Sequence, residues 1–385
     1  KPLRAKDNEV WCLLLVGAYQ LKFMSIPDHA VINEAVSACN ALKRSWAKKL
    51  VNAILRHAAR DIEKKKFERS FDPINQYPKW LKSLITGQYP DQSIELLQAS
   101  LTRAPMALRI NIRQISPIGY RSALTQAGLE FRSGPFPETV ILTKPCRTED
   151  LPGFATGQVS IQDVGAQCAA RLLIDQTAGQ LQISPTLDAC AAPGGKLFHL
   201  MELSPLNHQF VALESQDRRA ALIANDAARL GHHITTTIGD ATSLNWWSGE
   251  PFSQILLDAP CSGTGTLRRH PDIKVLIDPT SIDAHHANQV QLLNNLWSTL
   301  RPGGTLLYCT CSLLEQENDR VIEVFVTQQS AAQQSEQRSP NVRAVNQTIR
   351  LPTGRPTRYG WQLLPTNPDT DGFYFSLLKK PHDTT

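Results

Sequence analysis

Long apolar runs are missing from this 385-residue chain: none approaches the roughly 18 residues that cross a bilayer, and no signal-like apolar stretch follows Lys1. A membrane protein is therefore not expected. A disulfide framework is missing too. The eight cysteines, Cys12, Cys39, Cys146, Cys168, Cys190, Cys261, Cys309 and Cys311, are scattered through helix-like and strand-end segments rather than set at the spacings of a small secreted scaffold. A reducing, cytoplasmic setting is the expectation. Cys309-Thr310-Cys311 brings two thiols close, but no nearby Cys or His completes a four-ligand zinc set, so no metal is expected. There is no internal repeat, and the pyrophosphate fingerprint of three spaced glycines is absent.

A large excess of charge of either sign is missing, since 40 Lys/Arg stand against 35 Asp/Glu for a net of +5, yet the charge is unevenly placed. Residues 1–70 carry 14 Lys/Arg against 7 Asp/Glu, residues 71–150 carry 9 against 7, and residues 151–385 carry 17 against 21. The basic front end fits an anionic partner such as nucleic acid, although well-solvated helix faces would give the same count. At 42% hydrophobic and 19% charged residues the composition is that of a globular protein, long enough for two or three domains at about 150 residues each.

Helical spacing recurs early: Trp11, Leu14, Leu15, Ala18 and Tyr19; then Ile32, Ala35, Val36 and Cys39; then Leu50, Ile54, Leu55 and Ala58. Ser45 is placed to cap the third helix, whose other face carries Lys48, Lys49, Arg56 and Arg60 and runs into Lys64-Lys65-Lys66. We read residues 1–70 as a helical module, residues 71–150 as a small α/β connector, and residues 151–385 as an alternating strand and helix domain with a parallel, doubly wound sheet. Strand ends are expected near Asp188, Leu213, Ile238, Leu257 and Cys309. Apolar runs at Trp361–Leu364 and Phe373–Leu378 would close the sheet as an antiparallel pair, after a mobile Gln- and Ser-rich loop at Gln328–Gln347.

The chemistry gathers at those strand ends. Asp188-Ala189-Cys190-Ala191-Ala192-Pro193-Gly194-Gly195-Lys196 leaves a strand and opens a helix, and its paired glycines would let a ligand approach the backbone. Glu214 ends the next strand, 26 residues after Asp188, where an acid accepts ribose hydroxyls; Asp240 follows the third and could take an adenine amino group. Helix capping would also explain each acid taken alone. Three acids at consecutive strand ends suit S-adenosylmethionine better than a dinucleotide. Asp258-Ala259-Pro260-Cys261-Ser262-Gly263 and Thr310-Cys311-Ser312 follow two further strands, 50 residues apart by their cysteines. In an open sheet both thiols would reach one crevice at the carboxyl edge, a setting for covalent chemistry on an electrophilic carbon. Cys190 and Cys309 read instead as small buried hydrophobes. Arg268 and Arg269 read as phosphate or substrate-loop contacts, and the His232-His233 and His285-His286 pairs as solvated.

These motifs, with Arg269-His270-Pro271-Asp272 and the helical pieces Val16–Leu21 and Leu50–Arg56, resemble the RNA 5-methylcytosine methyltransferases, and more narrowly the ribosomal RNA small-subunit methyltransferase B family. The resemblance implies a Rossmann-like S-adenosylmethionine-dependent sheet preceded by an all-α NusB-like RNA-binding domain. The family's first helices have no counterpart and the chain opens on Lys1 rather than Met, so residues before Lys1 are expected. It further implies that Cys311 adds to carbon 6 of a cytosine, that Cys261 serves the release step, and that Asp258 contacts the ring nitrogen and exocyclic amine, with Lys196 lining the same pocket. Cofactor contacts are expected from Cys190, Ala191, Ala192, Pro193, Gly194, Gly195, Lys196, Glu214, Asp240 and Asp258, and RNA contacts from Lys48, Lys49, Arg56, Arg268 and Arg269. Small-subunit ribosomal RNA is the expected partner of a monomeric enzyme. Two other readings stay open: a related enzyme acting on another RNA, and a non-catalytic RNA-binding assembly factor that keeps the fold.

Overall fold

The structure, a computed structural model, describes residues 3–64, 74, 77–175, 185–335 and 349–382. Lys65, Lys66, the expected boundary at residues 70 and 71, and positions 336–347 of the Gln- and Ser-rich segment lie outside that set. The chain divides into two compact units, Lys1–Gln76 and Tyr77–Thr385.

The first unit is helical: α1 (Asn8–Phe23), α2 (Asp28–Ala41) and α3 (Lys48–Glu63). Its core joins Val10, Leu14 and Leu21 to Val31, Ile32, Ala35 and Cys39 and to Val51 and Leu55. The buried face of α1 is therefore one residue away from the expected one, and Trp11, Leu15 and Tyr19 are exposed, as are Leu50 and Ile54 on α3. Gly17 explains the rotation. A Cβ there would lie 2.7 Å from Leu55 Cδ1, so α1 and α3 touch at bare backbone, which a search for apolar side chains overlooks. Ser45 does not cap α3. It lies in a 3-10 turn that leads into the helix, and its hydroxyl donates to Asn40 Oδ1 at 3.0 Å.

The second unit opens with α4 (Lys79–Gln88) and α5 (Ser93–Ala99) and then builds an antiparallel sheet from β1 (Met106–Ile110), β2 (Phe131–Ser133), β3 (Thr139–Leu142) and β4 (Val159–Ile161), in the order β2-β3-β1-β4. Between β1 and β2 lies α6 (Pro117–Gln126), started by Pro117 at its first position and by Ser116, whose Oγ accepts from Gly119 N. The fourth strand of this sheet comes from beyond residue 150.

After α7 (Val164–Asp175) the chain alternates β5 (Thr186–Asp188), α8 (Gly195–Leu203), β6 (Phe210–Glu214), α9 (Asp217–Leu230), β7 (Thr236–Ile238), β8 (Phe252–Asp258), α10 (Ile273–Leu276), α11 (Pro279–Thr299) and β9 (Leu300–Thr310). It ends with α12 (Asp319–Ser335), β10 (Arg355–Pro356), β11 (Trp361–Leu363) and β12 (Phe373–Lys379). The sheet order is β10-β11-β12-β9-β8-β5-β6-β7; β9 through β7 are parallel, and β12, β11 and β10 add antiparallel edges. The strand ends fall within a residue of the expected ones. The Gln-rich segment differs: α12 carries residues 328–335, because Val321, Ile322 and Phe325 bury its first turns in the core while glutamines occupy later ones. Order runs outward from β5 to β7, then returns beside β5 at β8. That reversal opens a crevice at the carboxyl ends of β5 and β8, where open α/β sheets bind ligands.

The small sheet is clamped to the large one by buried charge. Arg109 on β1 donates Nε and Nη2 to the two carboxylate oxygens of Glu202 on α8, at 2.9 and 2.7 Å, and Nη1 to Gln162 Oε1 and the Gly195 carbonyl, both at 2.6 Å. Both charged side chains are about 1% exposed. Nearby, Glu138 accepts from Arg171 and pairs with the His199 ring at 3.0 Å; burial opposes its charge, but His199 and Arg171 hold it down at about 2. Arg109→Ala strands the Glu202 carboxylate and should cost about 3–5 kcal/mol of unfolding free energy, whereas Arg109→Leu with Glu202→Leu should cost clearly less. Urea denaturation of the full chain followed by tryptophan fluorescence checks both; equal losses would contradict the pairing argument.

Candidate active site

Asp188 closes β5 fully buried, and its Oδ1 has no partner among the described residues. Burial, and after it the Asp258 carboxylate, push Asp188 up to about 7. The turn beyond it, Cys190 to Lys196, contains a cis Ala192–Pro193 bond and places Gly194 at φ +106°, where a Cβ would stand 2.4 Å from the Phe198 ring. Only glycine fits both demands, and it lets α8 start immediately. Arg219 of α9 ties the turn down by donating to the Ala192 carbonyl at 2.9 Å.

Glu214, at the end of the adjacent β6, is also buried: Oε1 accepts from Gln216 N at 3.2 Å and lies 3.6 Å from Arg219, while Oε2 has no partner among the described residues. Asp240, past β7, is exposed and accepts from Thr242 N at 2.8 Å. Two neighbouring strand ends thus present desolvated acceptors without donors, an arrangement that costs free energy until a ligand supplies hydroxyl or ammonium hydrogens. A nucleoside cofactor with an amino-acid tail is such a ligand. The residues present fit the expected group.

On the other side of β5, the register sets Asp258 of β8 opposite Cys309 of β9, so the loops that follow the two strands run side by side. Cys261 Sγ and Cys311 Sγ stand 3.5 Å apart as free thiols. The Cys311 sulfur beside it, and then burial, push the Cys261 thiol well up. Asp258 accepts from Lys196 Nζ at 2.6 Å through Oδ2 and from Cys309 Sγ at 3.5 Å through Oδ1. Burial works against the Lys196 charge, but the acidic groups around it, Asp258 foremost, together outweigh that and raise the amine above its ordinary value. The glycine turn and the first cysteine loop therefore share an ion pair. Gly265 lies where the loops cross: its N–H donates to the Cys311 carbonyl at 2.8 Å, and a Cβ would stand 2.1 Å from the Gly372 carbonyl.

Two of the expected RNA contacts already have partners in the protein. Arg268 has a side chain 2% exposed, with Nε on Asp371, and Arg269, 28% exposed, binds Asp371 and Asp163 Oδ2, so both guanidinium groups are ion-paired within the chain. The Arg268-Arg269 pair holds the first cysteine loop to the start of α7 and to the chain before β12; burial and Asp371 raise Asp163 to about 6. In the helical unit Lys49 and Arg56 are exposed and Lys48 is half-buried, with Arg56 Nε donating to Asn52 at 3.1 Å. His232 is not solvated. It is buried and its ring stacks on Phe198 at 5.6 Å between centroids. Cys309 is buried as expected, while Cys190 is half-buried beside the turn.

Asp163, Asp371 and Glu317 escaped the sequence reading. Glu317, fully buried, accepts from Ser262 N at 2.7 Å and from the hydroxyls of both Ser262 and Ser312, the residues that follow the two cysteines. The one hint was the pair of serines themselves, each needing an acceptor if its loop is buried. Among the described residues no group of three or more His, Cys, Asp or Glu side chains is arranged to hold a metal ion, and no helix is long and apolar enough to cross a membrane.

Comparison with known proteins agrees with this geometry. Residues 179–379 match the profile of the 16S rRNA methyltransferase RsmB/F family, residues 1–60 match the NusB family, and residues 77–149 match the ferredoxin-like domain of RsmF/B-like methyltransferases. A protein of Pseudomonas syringae pv. tomato named ribosomal RNA small subunit methyltransferase B is 41% identical over 99% of this chain and 83% of its own length. One from Coxiella burnetii, named as a probable member of the same kind, is 40% identical over 98% of this chain and 86% of its own. The crystal structure of a methyltransferase homolog from Pyrococcus horikoshii, 24% identical, superposes with a TM-score of 0.65 over 79% of this chain and 96% of that one, a likeness of fold. Fold, crevice and paired thiols thus coincide with similarity along 98–99% of this chain, and the chain belongs to the ribosomal RNA small subunit methyltransferase B family.

Proposed function

We propose that this methyltransferase moves a methyl group from S-adenosylmethionine to carbon 5 of a cytosine in small-subunit ribosomal RNA, through a temporary bond between Cys311 and carbon 6. The observation that carries the reading is the pair of free thiols 3.5 Å apart beside an Asp258 carboxylate held by Lys196. The bound cofactor supplies an electrophilic methyl group on a sulfonium. Carbon 5 of cytosine is too weak a nucleophile to take it until a thiolate adds to carbon 6. Cys311 makes that bond, the proton it gives up passing to the ring nitrogen, and Asp258 accepts from the exocyclic amine and that protonated nitrogen as charge develops. Lys196 keeps Asp258 oriented. Cys261 is pushed well up by the Cys311 sulfur and by burial, which disfavours it as the attacking thiolate. Once Cys311 is bonded to carbon, its push on Cys261 is gone; Cys261 gives its own proton to solvent, and the resulting thiolate takes the carbon 5 proton as the carbon–sulfur bond breaks and its pair of electrons returns to Cys311. A cytosine must be unpaired or flipped out to reach these groups.

The test is direct: purified protein, S-adenosylmethionine with a labelled methyl group, and small-subunit ribosomal RNA, followed by nuclease digestion and nucleoside analysis. Label in 5-methylcytidine supports the reading; label in another nucleoside, or none, rejects it.

Asp188 adds a pH dependence. It is held at about 7, and a ligand that donates hydrogens to it favours the carboxylate, so cofactor affinity should rise with pH through neutrality. Calorimetry with S-adenosylmethionine should show binding roughly tenfold tighter at pH 8 than at pH 6, and Asp188→Asn should flatten the difference. Equal slopes in both proteins would remove Asp188 from the cofactor contacts.

A further inference from the structure

We infer that Glu317 is a positioning residue that sets the distance between the two thiols. Cys261 and Cys311 lie in separate loops, and a pair of loops has no intrinsic reason to hold two sulfurs 3.5 Å apart. The residue after each cysteine is tied to the same carboxylate. Ser262 gives its N–H to Oε1 at 2.7 Å and its hydroxyl to Oε2, and the Ser312 hydroxyl converges on that same Oε2. Thr264 closes the ring: its Oγ1 is 3.1 Å from Ser312 Oγ and accepts from Leu313 N at 3.0 Å. Asn318 holds the far side of the second loop, donating Nδ2 to the Ser312 carbonyl at 3.0 Å and accepting from Thr310 Oγ1 at 2.6 Å. Glu317 is itself fixed, since Tyr308 on β9 donates its hydroxyl to the Glu317 carbonyl at 2.6 Å.

A carboxylate with no exposed surface is expensive unless its oxygens are filled, and here one amide and two hydroxyls fill them. That cost makes the arrangement specific: Glu317 is satisfied only when both cysteine loops are in place. Its charge also adds to the push that keeps Cys261 protonated. The structural role stands on the geometry alone; its consequence for catalysis rests on the reading of Cys311 and Cys261 as the reacting thiols.

The experiment separates the two. Diamide removes one hydrogen from each of two adjacent thiols, forming a disulfide and itself becoming a hydrazine, so its rate of closure between Cys261 and Cys311 reports their proximity without any RNA or cofactor. In the full chain, Glu317→Ala should slow closure about tenfold or more through loss of hydrogen bonds to a charged group, and Glu317→Gln, which can still accept from Ser262 N, should recover most of it. Methylation should follow, with kcat falling by a similar factor and KM for RNA within about twofold. Closure at the wild-type rate in Glu317→Ala overturns the inference. If that variant fails to fold, Ser262→Ala with Ser312→Ala, which removes only two hydroxyls, must show the slowed closure, and wild-type closure there overturns it. Slow closure with unchanged kcat upholds the positioning role and instead rejects the two thiols as reacting groups.

Discussion

Cys311→Ala abolishes methyl transfer while leaving cofactor binding and thermal stability close to wild type. The expectation follows from where the sulfur lies. Cys311 is half-buried at the end of β9, packed at the edge of a core cluster rather than inside it, so its loss empties little space. Nothing at that position can then add to carbon 6, and the neighbouring Cys261 comes from a different loop, after β8 rather than β9. Loss of a covalent nucleophile usually removes almost all the rate that its unit supplies, and here the fall should be on the order of a thousandfold or more. Nucleoside analysis of labelled ribosomal RNA measures it, with S-adenosylmethionine calorimetry as the control for folding. Turnover within about tenfold of wild type would transfer the role of nucleophile to another group.

Cys261→Ala gives the opposite kind of failure. On the proposed mechanism methyl transfer to the ring still occurs once, because Cys311, Asp258 and Lys196 are intact, but the group proposed to accept the carbon 5 proton is gone. The adduct accumulates. Turnover should fall by about 10² to 10⁴, the range lost with a positioned base, while a slow-migrating protein–RNA species appears on denaturing gels. The double variant Cys261→Ala with Cys311→Ala should form none. A Cys261→Ala protein that turns over normally, or that stalls without an adduct, would show that release uses another base.

Much of this site was legible before any coordinates because its signals are local. Apolar runs stop at Asp188, Glu214, Asp258 and Thr310, so strand ends and their order of appearance follow from pattern, and the Gly194-Gly195 turn announces a bare-backbone approach at one of them. Pairing the runs at 361 and 373 as antiparallel needs only their closeness in sequence. What escaped was long-range. Arg268 and Arg269 look identical in sequence whether they face phosphate or an aspartate about a hundred residues away, and only the fold brings Asp371 and Asp163 to them. The face of α1 was misjudged because part of it is a glycine, which carries no hydropathy signal, packed against Leu55. Glu317 lies in a polar stretch, Glu315 to Asp319, whose composition gives no sign of burial, yet Ser262 and Ser312 draw it inside.

The most direct measurement is mass spectrometry of the Cys261→Ala protein after reaction with S-adenosylmethionine and small-subunit ribosomal RNA, digested with nuclease and protease. The account predicts a methylated cytidine nucleotide on the peptide that contains Cys311, attached at that sulfur and not at Cys309. A nucleotide on a different residue, or complete consumption of cofactor with no peptide modified, would contradict it.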